Sequence, residues 1–149
     1  MKITRLMLER YGHLGDVTLD FPPEIGLHVV HGANEAGKST ALMAISDFLF
    51  GIPGQTPLGF LYGYDRLRIG AELLGDNGTR RTLFRLKRRG ASLRDEGDTP
   101  FDDSVLAPFL HGATRERFQR MFGLSAQRLR EGGEAIVSGG GDVGSALFQ

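Results

Sequence analysis

The sequence contains no cysteine, so disulfide bonds and thiolate chemistry are excluded, and any metal site would need histidine and carboxylate ligands. It also lacks an excess of charge, because 18 basic residues balance 18 acidic ones, and no global field draws the chain toward nucleic acid or a membrane. No apolar run approaches the ~18 residues of a membrane span, and the charged N-terminus is unlike a signal peptide. We expect a soluble, cytoplasmic protein without a membrane partner.

Lysine is rare, since only Lys2, Lys38 and Lys87 are found among the 18 basic residues. One of the three lies in HGANEAGKST, residues 31–40, which contains the pattern G-x-x-x-x-G-K-[ST]. That pattern is typical of a loop whose backbone N–H groups surround the phosphates of a nucleotide. A compact ammonium suits the tight loop better than an arginine fork does. The pattern therefore predicts nucleotide binding.

Each part of the pattern has a chemical role. Gly32 and Gly37 let the backbone turn without a Cβ in the way, and Lys38, the candidate catalytic residue, reaches the β- and γ-phosphates. Ser39 is the candidate Mg²⁺ ligand, and Thr40 is placed to donate to the α-phosphate. The predicted cofactors are ATP and Mg²⁺. The predicted binding residues are Gly32, Ala33, Asn34, Glu35, Ala36, Gly37, Lys38, Ser39 and Thr40.

Hydrophobic periodicity predicts the surrounding elements. Strands over 2–10 and 16–21 form a hairpin, and a short apolar strand over 27–30 leads into the loop. A helix begins at about Lys38 and ends at Gly51, with Leu42, Ile45 and Leu49 on one face and Ser46 and Asp47 on another. A second hairpin pairs 66–74 with 79–89 around the turn at 75–78. Helical signals follow over 102–112, 114–123 and 125–133 and open again near 142.

The chain is interpreted as one ATP-binding lobe over residues 1–149. Residues 1–60 hold the first strands, the phosphate loop and its helix, residues 61–100 the second hairpin, and residues 101–149 a helical region. The sequence stops directly after the apolar ALF at 146–148. Because a finished domain seldom ends in a helix that has barely begun, we expect the natural polypeptide to continue.

The segment GANEAGKST resembles the phosphate loop of the SMC/RecF/SbcC group of ABC-type ATPases, in which the middle glycine is often replaced. The segments LFGIP, DRLRIGAEL, LAPFLHG, ERFQRMFGLSAQRLREGGEAI and GDVGSALF are similar to the N-terminal half of YhaN-like proteins. These are bacterial ATPases with a split head and long coiled-coil arms. The resemblance implies an α/β P-loop NTPase fold, the N-terminal lobe of an ABC/SMC-type head, with an antiparallel β-hairpin subdomain and a helical segment after it.

The resemblance also implies a divided active site. The C-terminal half of such a head supplies the signature motif, the Walker B acids and a switch histidine, and a second head closes over ATP. The implied partners are therefore the chain's own C-terminal lobe and a second head in a homodimer, with work on DNA such as repair. Gln127 is the candidate Q-loop ligand of Mg²⁺, and the first turn, with Arg10, Tyr11 and His13, lies where related proteins contact the nucleotide.

Two segments are candidates for the missing catalytic motifs. A Walker B strand ends in an acid, and AELLGD ends at Asp76, but Gly75 interrupts it and DNG is a turn. VSGGGD, residues 137–142, is similar to an ABC signature, yet only seven residues follow, so it is interpreted as a glycine-rich loop with Asp142 capping a helix. We expect this chain alone to bind ATP and to turn it over negligibly.

Other interpretations stay open. The second strand of the later hairpin places four cations, Arg81, Arg85, Lys87 and Arg89, on one face, which either contacts nucleic-acid phosphates or is a solvated surface. The chain is alternatively a nucleotide-gated dimerisation module without hydrolysis. A small P-loop kinase or GTPase fits less well, because the guanine motif N-K-x-D is absent.

Overall fold

The computed structural model describes residues 1–122, 130, 133 and 134 of the chain. It divides into two compact units, Met1–Arg115 and Glu116–Gln149. The helices predicted over 125–133 and near 142, and the interpretation of residues 137–142 as a glycine-rich loop, lie mostly or wholly outside the described residues.

The first unit is built on a six-stranded antiparallel sheet in the order β2-β1-β3-β4-β5-β6. The strands are β1 Lys2–Tyr11, β2 Leu14–Asp20, β3 Arg68–Leu74, β4 Arg80–Leu86, β5 Leu93–Arg94 and β6 Pro100–Phe101. The β1–β2 and β3–β4 pairs confirm both predicted hairpins. The last two strands have two residues each, which is too short for a period-2 pattern to indicate them.

Helix α1, Lys38–Phe50, packs against β1, β3 and β4. Ala41 and Ala44 are buried beside Phe48, and these small side chains let the helix lie close to the sheet. The helix ends at Gly51, whose φ of 89° is one that glycine adopts without strain, as predicted. The face predicted to be apolar is only partly the face that packs on the sheet, because Leu42, one of its predicted members, is 36% exposed.

A buried carboxylate fastens this helix to its surroundings. Asp47 is 5% exposed, accepts a hydrogen bond from the Tyr11 hydroxyl at 2.6 Å and pairs with Arg115 at 2.8 Å. Arg115 also donates to the carbonyl of Gly51 at the end of α1. Burial and the hydrogen bond to Asp47 raise the pKa of Tyr11 above its ordinary value. Asp47 is thus buried because partners from β1 and from beyond the sheet satisfy it.

The predicted strand over residues 27–30 is wrong. These residues form no regular element in the described part of the chain, and Leu27 and Val29 are 78% and 74% exposed. An extended segment becomes a strand only when a neighbour takes up its backbone hydrogen bonds. The six-stranded sheet places no strand beside this segment, so an apolar sequence pattern alone does not make it one.

Short helical elements complete the description. Single 3₁₀ turns span Pro57–Gly59, Tyr64–Arg66 and Asp103–Leu106, and α2 Ala107–Leu110 follows the last of them. Helix α3, Arg115–Met121, begins as the first unit ends. The helical signals predicted over 102–112 and 114–123 are confirmed. Among the described residues, the helices are all too short or too polar to cross a lipid bilayer.

Candidate functional site

The predicted phosphate loop directly precedes α1. Gly37 caps the helix in the left-handed conformation, with φ at 97°, and the helix begins at Lys38. Glu35 also has a positive φ, 66°, and the Ala36 N–H donates to the Ala33 carbonyl at 3.3 Å. The loop therefore curls over the N-terminus of α1, where unpaired backbone N–H groups and the positive end of the helix dipole favour an anion.

A side chain would be crowded at two glycines of the loop. A Cβ on Gly37 would lie 2.7 Å from Leu14 Cδ2 and 3.1 Å from His13 Nε2, while one on Gly32 would lie 3.1 Å from the Cβ of Ala36. Gly37 is thus required both by its backbone angle and by its neighbours. This is the close approach for which the motif needs glycine.

The lysine of the motif reaches back over the loop. Lys38 Nζ donates to the carbonyls of Gly32 and Ala33, each at 2.7 Å. An ammonium group has three N–H donors, so these two bonds fix its position and leave the third for a phosphate oxygen. The loop therefore holds a cation at its opening.

An open cleft of about 550 Å³ lies at the loop. Six of its lining residues come from the predicted set, namely Asn34, Glu35, Gly37, Lys38, Ser39 and Thr40, and the seventh is His13. Of the three first-turn candidates only His13 lines the cleft, because Arg10 donates to the Arg66 carbonyl and Tyr11 is buried against Asp47. The structure thus brings the motif together and adds one imidazole from the turn between β1 and β2.

A magnesium ion would depend on few protein ligands here. In the described part of the chain, no group of three or more histidine, aspartate or glutamate side chains is arranged to hold a metal. Mg²⁺ bound with a nucleotide takes most of its ligands from phosphates and water, and Ser39, exposed at the start of α1, offers one hydroxyl. Gln127 lies outside the described residues.

The nearest candidate for a Walker B acid, Asp76, lies in a turn, as predicted. Its two carboxylate oxygens face the N-terminal amino group at 2.7 Å and His111 Nε2 at 3.2 Å. The hydrogen bond from the terminal ammonium, with its charge, lowers the pKa of Asp76. The residue lines a different cleft, of about 520 Å³, with Val105 and Phe109. Asp76 is engaged away from the phosphate loop.

The prediction of four exposed cations on the later hairpin is wrong for Arg85. Its side chain is fully buried, and Nε donates to the Phe48 carbonyl at 3.0 Å while Nη1 meets Asp103 at 2.5 Å. The face that carries Arg85 also carries Leu83, 1% exposed, so it is the face that α1 covers. Lys87 donates to the carbonyls at 53 and 54, at 2.6 and 2.5 Å. Arg81 and Arg89 remain exposed.

Comparison with known protein families gives a match over the chain. A family model described as an AAA domain covers residues 1–149, the whole chain. None of the curated proteins compared with it is significantly similar. The phosphate loop, the lysine over it and the helix that follows are the nucleotide-binding parts such a domain requires. The chain therefore belongs to the AAA-domain family of nucleotide-binding P-loop ATPases.

Proposed function

We propose that this chain is the ATP- and Mg²⁺-binding N-terminal lobe of an SMC-like ATPase head of the YhaN-like kind. It hydrolyses ATP only when a C-terminal lobe and a second head complete the site. The observation that carries the proposal is the loop at the start of α1, where Gly37 is left-handed and Lys38 Nζ is fixed by two loop carbonyls.

The chain's own residues account for binding. The loop N–H groups and the dipole of α1 meet the phosphate charge, and the third N–H of Lys38 adds a charge-assisted hydrogen bond. Ser39 offers a hydroxyl to the metal, and Thr40 lines the same cleft. When bound, Mg²⁺ neutralises charge that develops on the phosphates during transfer.

Two acids of the first unit are committed to other partners, which supports a divided site. Asp47 is held by Tyr11 and Arg115, and Asp76 by the N-terminal amino group and His111. Neither is free to orient or activate a water at the loop. The acid that does so is expected on the C-terminal lobe.

The apolar residues around the loop support a covering lobe. Leu27 and Val29, on the segment that leads into the loop, are 78% and 74% exposed, and Met43 on α1 is 45% exposed. Apolar side chains grouped around one functional segment are typical of an interaction surface. A strand from the C-terminal lobe beside residues 27–30 would bury two of them and take up unpaired backbone groups.

The first experiment measures MgATP binding by titration calorimetry. Lys38→Ala removes the ammonium at the loop and is expected to weaken binding by at least about tenfold, as for the loss of a charge-assisted hydrogen bond. Lys2→Ala is the matched control, because the Lys2 ammonium donates to the Pro23 carbonyl outside the loop. Equal affinities for the wild type and Lys38→Ala would contradict the proposal.

The second experiment measures phosphate release by the chain alone. We expect negligible steady-state turnover even at saturating MgATP, since the activating acid is supplied from elsewhere. Robust turnover that disappears in Lys38→Ala would show that this chain holds a complete site and would overturn the divided arrangement. DNA binding by the later hairpin forms no part of the proposal, because Arg85 and Lys87 are bound internally.

A further inference from the structure

The turn between β1 and β2 is held tightly from one side. Gly12 N–H donates to the Leu58 carbonyl at 3.0 Å, and a Cβ on Gly15 would lie 2.2 Å from the hydroxyl oxygen of Tyr62. Leu58 and Tyr62 both belong to residues 57–62, which we call the bracing loop. The bracing loop thus holds the turn at Gly12 and the start of β2 at Gly15, so the position of the turn depends on where the bracing loop lies.

The other side of the same turn packs against the phosphate loop. A Cβ on Gly12 would lie 3.1 Å from Thr40 Cγ2, and the Leu14 and His13 side chains occupy the space where a Cβ of Gly37 would project. Residues of the turn thus touch both ends of the sequence from Gly37 to Thr40. Movement of the turn therefore changes the packing of Thr40, which lines the nucleotide cleft.

We propose that Tyr62 is a positioning residue for the nucleotide site. Its side chain packs over Gly15 at the start of β2 and so fixes the turn before it, and the turn sets His13 at the wall of the phosphate cleft, where the imidazole N–H donates to a phosphate oxygen. The inference rests on the proposed function, since it needs a nucleotide in that cleft. It assigns a role in binding to a side chain that contributes nothing to the phosphate-loop motif.

The arrangement is suited to this role because Tyr62 acts by contact alone. Tyr62 is half-buried, and its Cζ would lie 3.1 Å from a Cβ on Gly15. The hydroxyl oxygen is the nearest atom, 2.2 Å from that Cβ position, and the ring lies directly behind it. Tyr62→Phe removes the hydroxyl but keeps the ring over Gly15, so it should keep most of the affinity, whereas Tyr62→Ala removes both. Tyr64 is unsuitable as a control, because its ring packs over Gly59 in the bracing loop.

The experiment compares the affinities of MgATP and of magnesium tripolyphosphate for the whole chain. Tyr62→Ala is expected to weaken both by about fivefold, as a moderate coupling between neighbouring residues does, and His13→Ala to do the same. Tyr62→Phe, which keeps the ring, is expected to stay within about twofold of the wild type, and so is Lys2→Ala, whose ammonium donates to the Pro23 carbonyl. The double variant Tyr62→Ala/His13→Ala should bind no more weakly than His13→Ala, because Tyr62 acts through His13.

Three results would overturn the inference alone while MgATP still binds the wild type. They are an unchanged affinity in Tyr62→Ala despite a lower melting temperature, additive losses in the double variant, and a loss for MgATP without one for tripolyphosphate. The last would mean that His13 contacts the base or ribose. A wild-type chain that binds neither ligand would instead contradict the proposed function.

Discussion

Replacing Arg85 tests the most unexpected feature of the fold, a fully buried guanidinium on β4. Its Nε and Nη1 donate to the Phe48 carbonyl, to Ser92 Oγ at 2.9 Å and to Asp103. Within the described part of the chain, Nη2 has no partner. Two substitutions separate the packing of the side chain from its charge, namely Arg85→Ala and Arg85→Met.

The expected losses differ because only one variant keeps the aliphatic stem. Arg85→Ala removes two buried methylene groups, worth about 0.8 kcal/mol each, leaves a cavity, and leaves the Phe48 carbonyl without its donor at about 1–3 kcal/mol. The sum is about 4 kcal/mol. Arg85→Met also leaves the Phe48 carbonyl without its donor, at about 1–3 kcal/mol, but it fills most of the space. It also removes the desolvation cost of a buried charge with one unsatisfied N–H group, which offsets part of that loss, so it should cost only about 1 kcal/mol.

Urea unfolding followed by circular dichroism measures both values. The control is Arg81→Ala on the same strand, which is exposed and should change the free energy of unfolding by less than about 0.5 kcal/mol. If Arg85→Ala costs no more than the control, the guanidinium lies in water. The reasoning from burial would then be refuted, and the exposed row of four cations predicted from the sequence would be restored.

Three further predictions concern the loop and its surroundings. Gly37→Ala places a Cβ on a residue with positive φ, 2.7 Å from Leu14. Calorimetry should show weaker MgATP binding, and urea unfolding should show a free energy of unfolding lower by about 2 kcal/mol. The control Gly54→Ala, which has open space around it, should change neither. The raised pKa of Tyr11 means that the folded state keeps the proton after the unfolded chain loses it. Wild-type stability should therefore be intact below pH about 10 and fall by about 1.4 kcal/mol per pH unit above it, and Tyr11→Phe should abolish that slope. Leu27→Asp should leave the stability of this chain within about 0.5 kcal/mol, yet prevent association with a polypeptide carrying the second lobe; a large loss of stability would show that Leu27 packs within this chain.

The parts of the fold that local chemistry determines were predictable. The glycine–lysine pattern located the phosphate loop because its function requires left-handed backbone and a cation within a few residues. Gly51 marked the end of α1 because few other residues accept its backbone angles. The β1–β2 and β3–β4 hairpins were visible because alternation and turn residues agree over short distances.

The failures all involve residues distant in the sequence. The alternating sequence pattern around Arg85 is the same whether its face of the strand is exposed or buried. Burial of this cation is possible because the carbonyl of Phe48 and the carboxylate of Asp103, both distant in the sequence, accept its hydrogen bonds. Residues 27–30 have the composition of a strand without a neighbour to pair with. Which side chain joins the loop residues in the cleft depends on how the β1–β2 turn folds over Gly37, and sequence spacing cannot give that.

The central strands and the segment that leads into the phosphate loop should differ in how their amide hydrogens exchange with solvent. Strands β1 and β3 are paired along their length, whereas residues 21–36, between β2 and α1, make few backbone hydrogen bonds with the sheet. Its amides should exchange with solvent through local fluctuations, whereas those of β1 and β3 should wait for cooperative unfolding. A ligand that orders this segment would therefore slow amide exchange in the segment and leave exchange in the sheet unchanged. Hydrogen exchange can then measure how much of the phosphate loop is occupied by ligand, with the sheet as an internal reference.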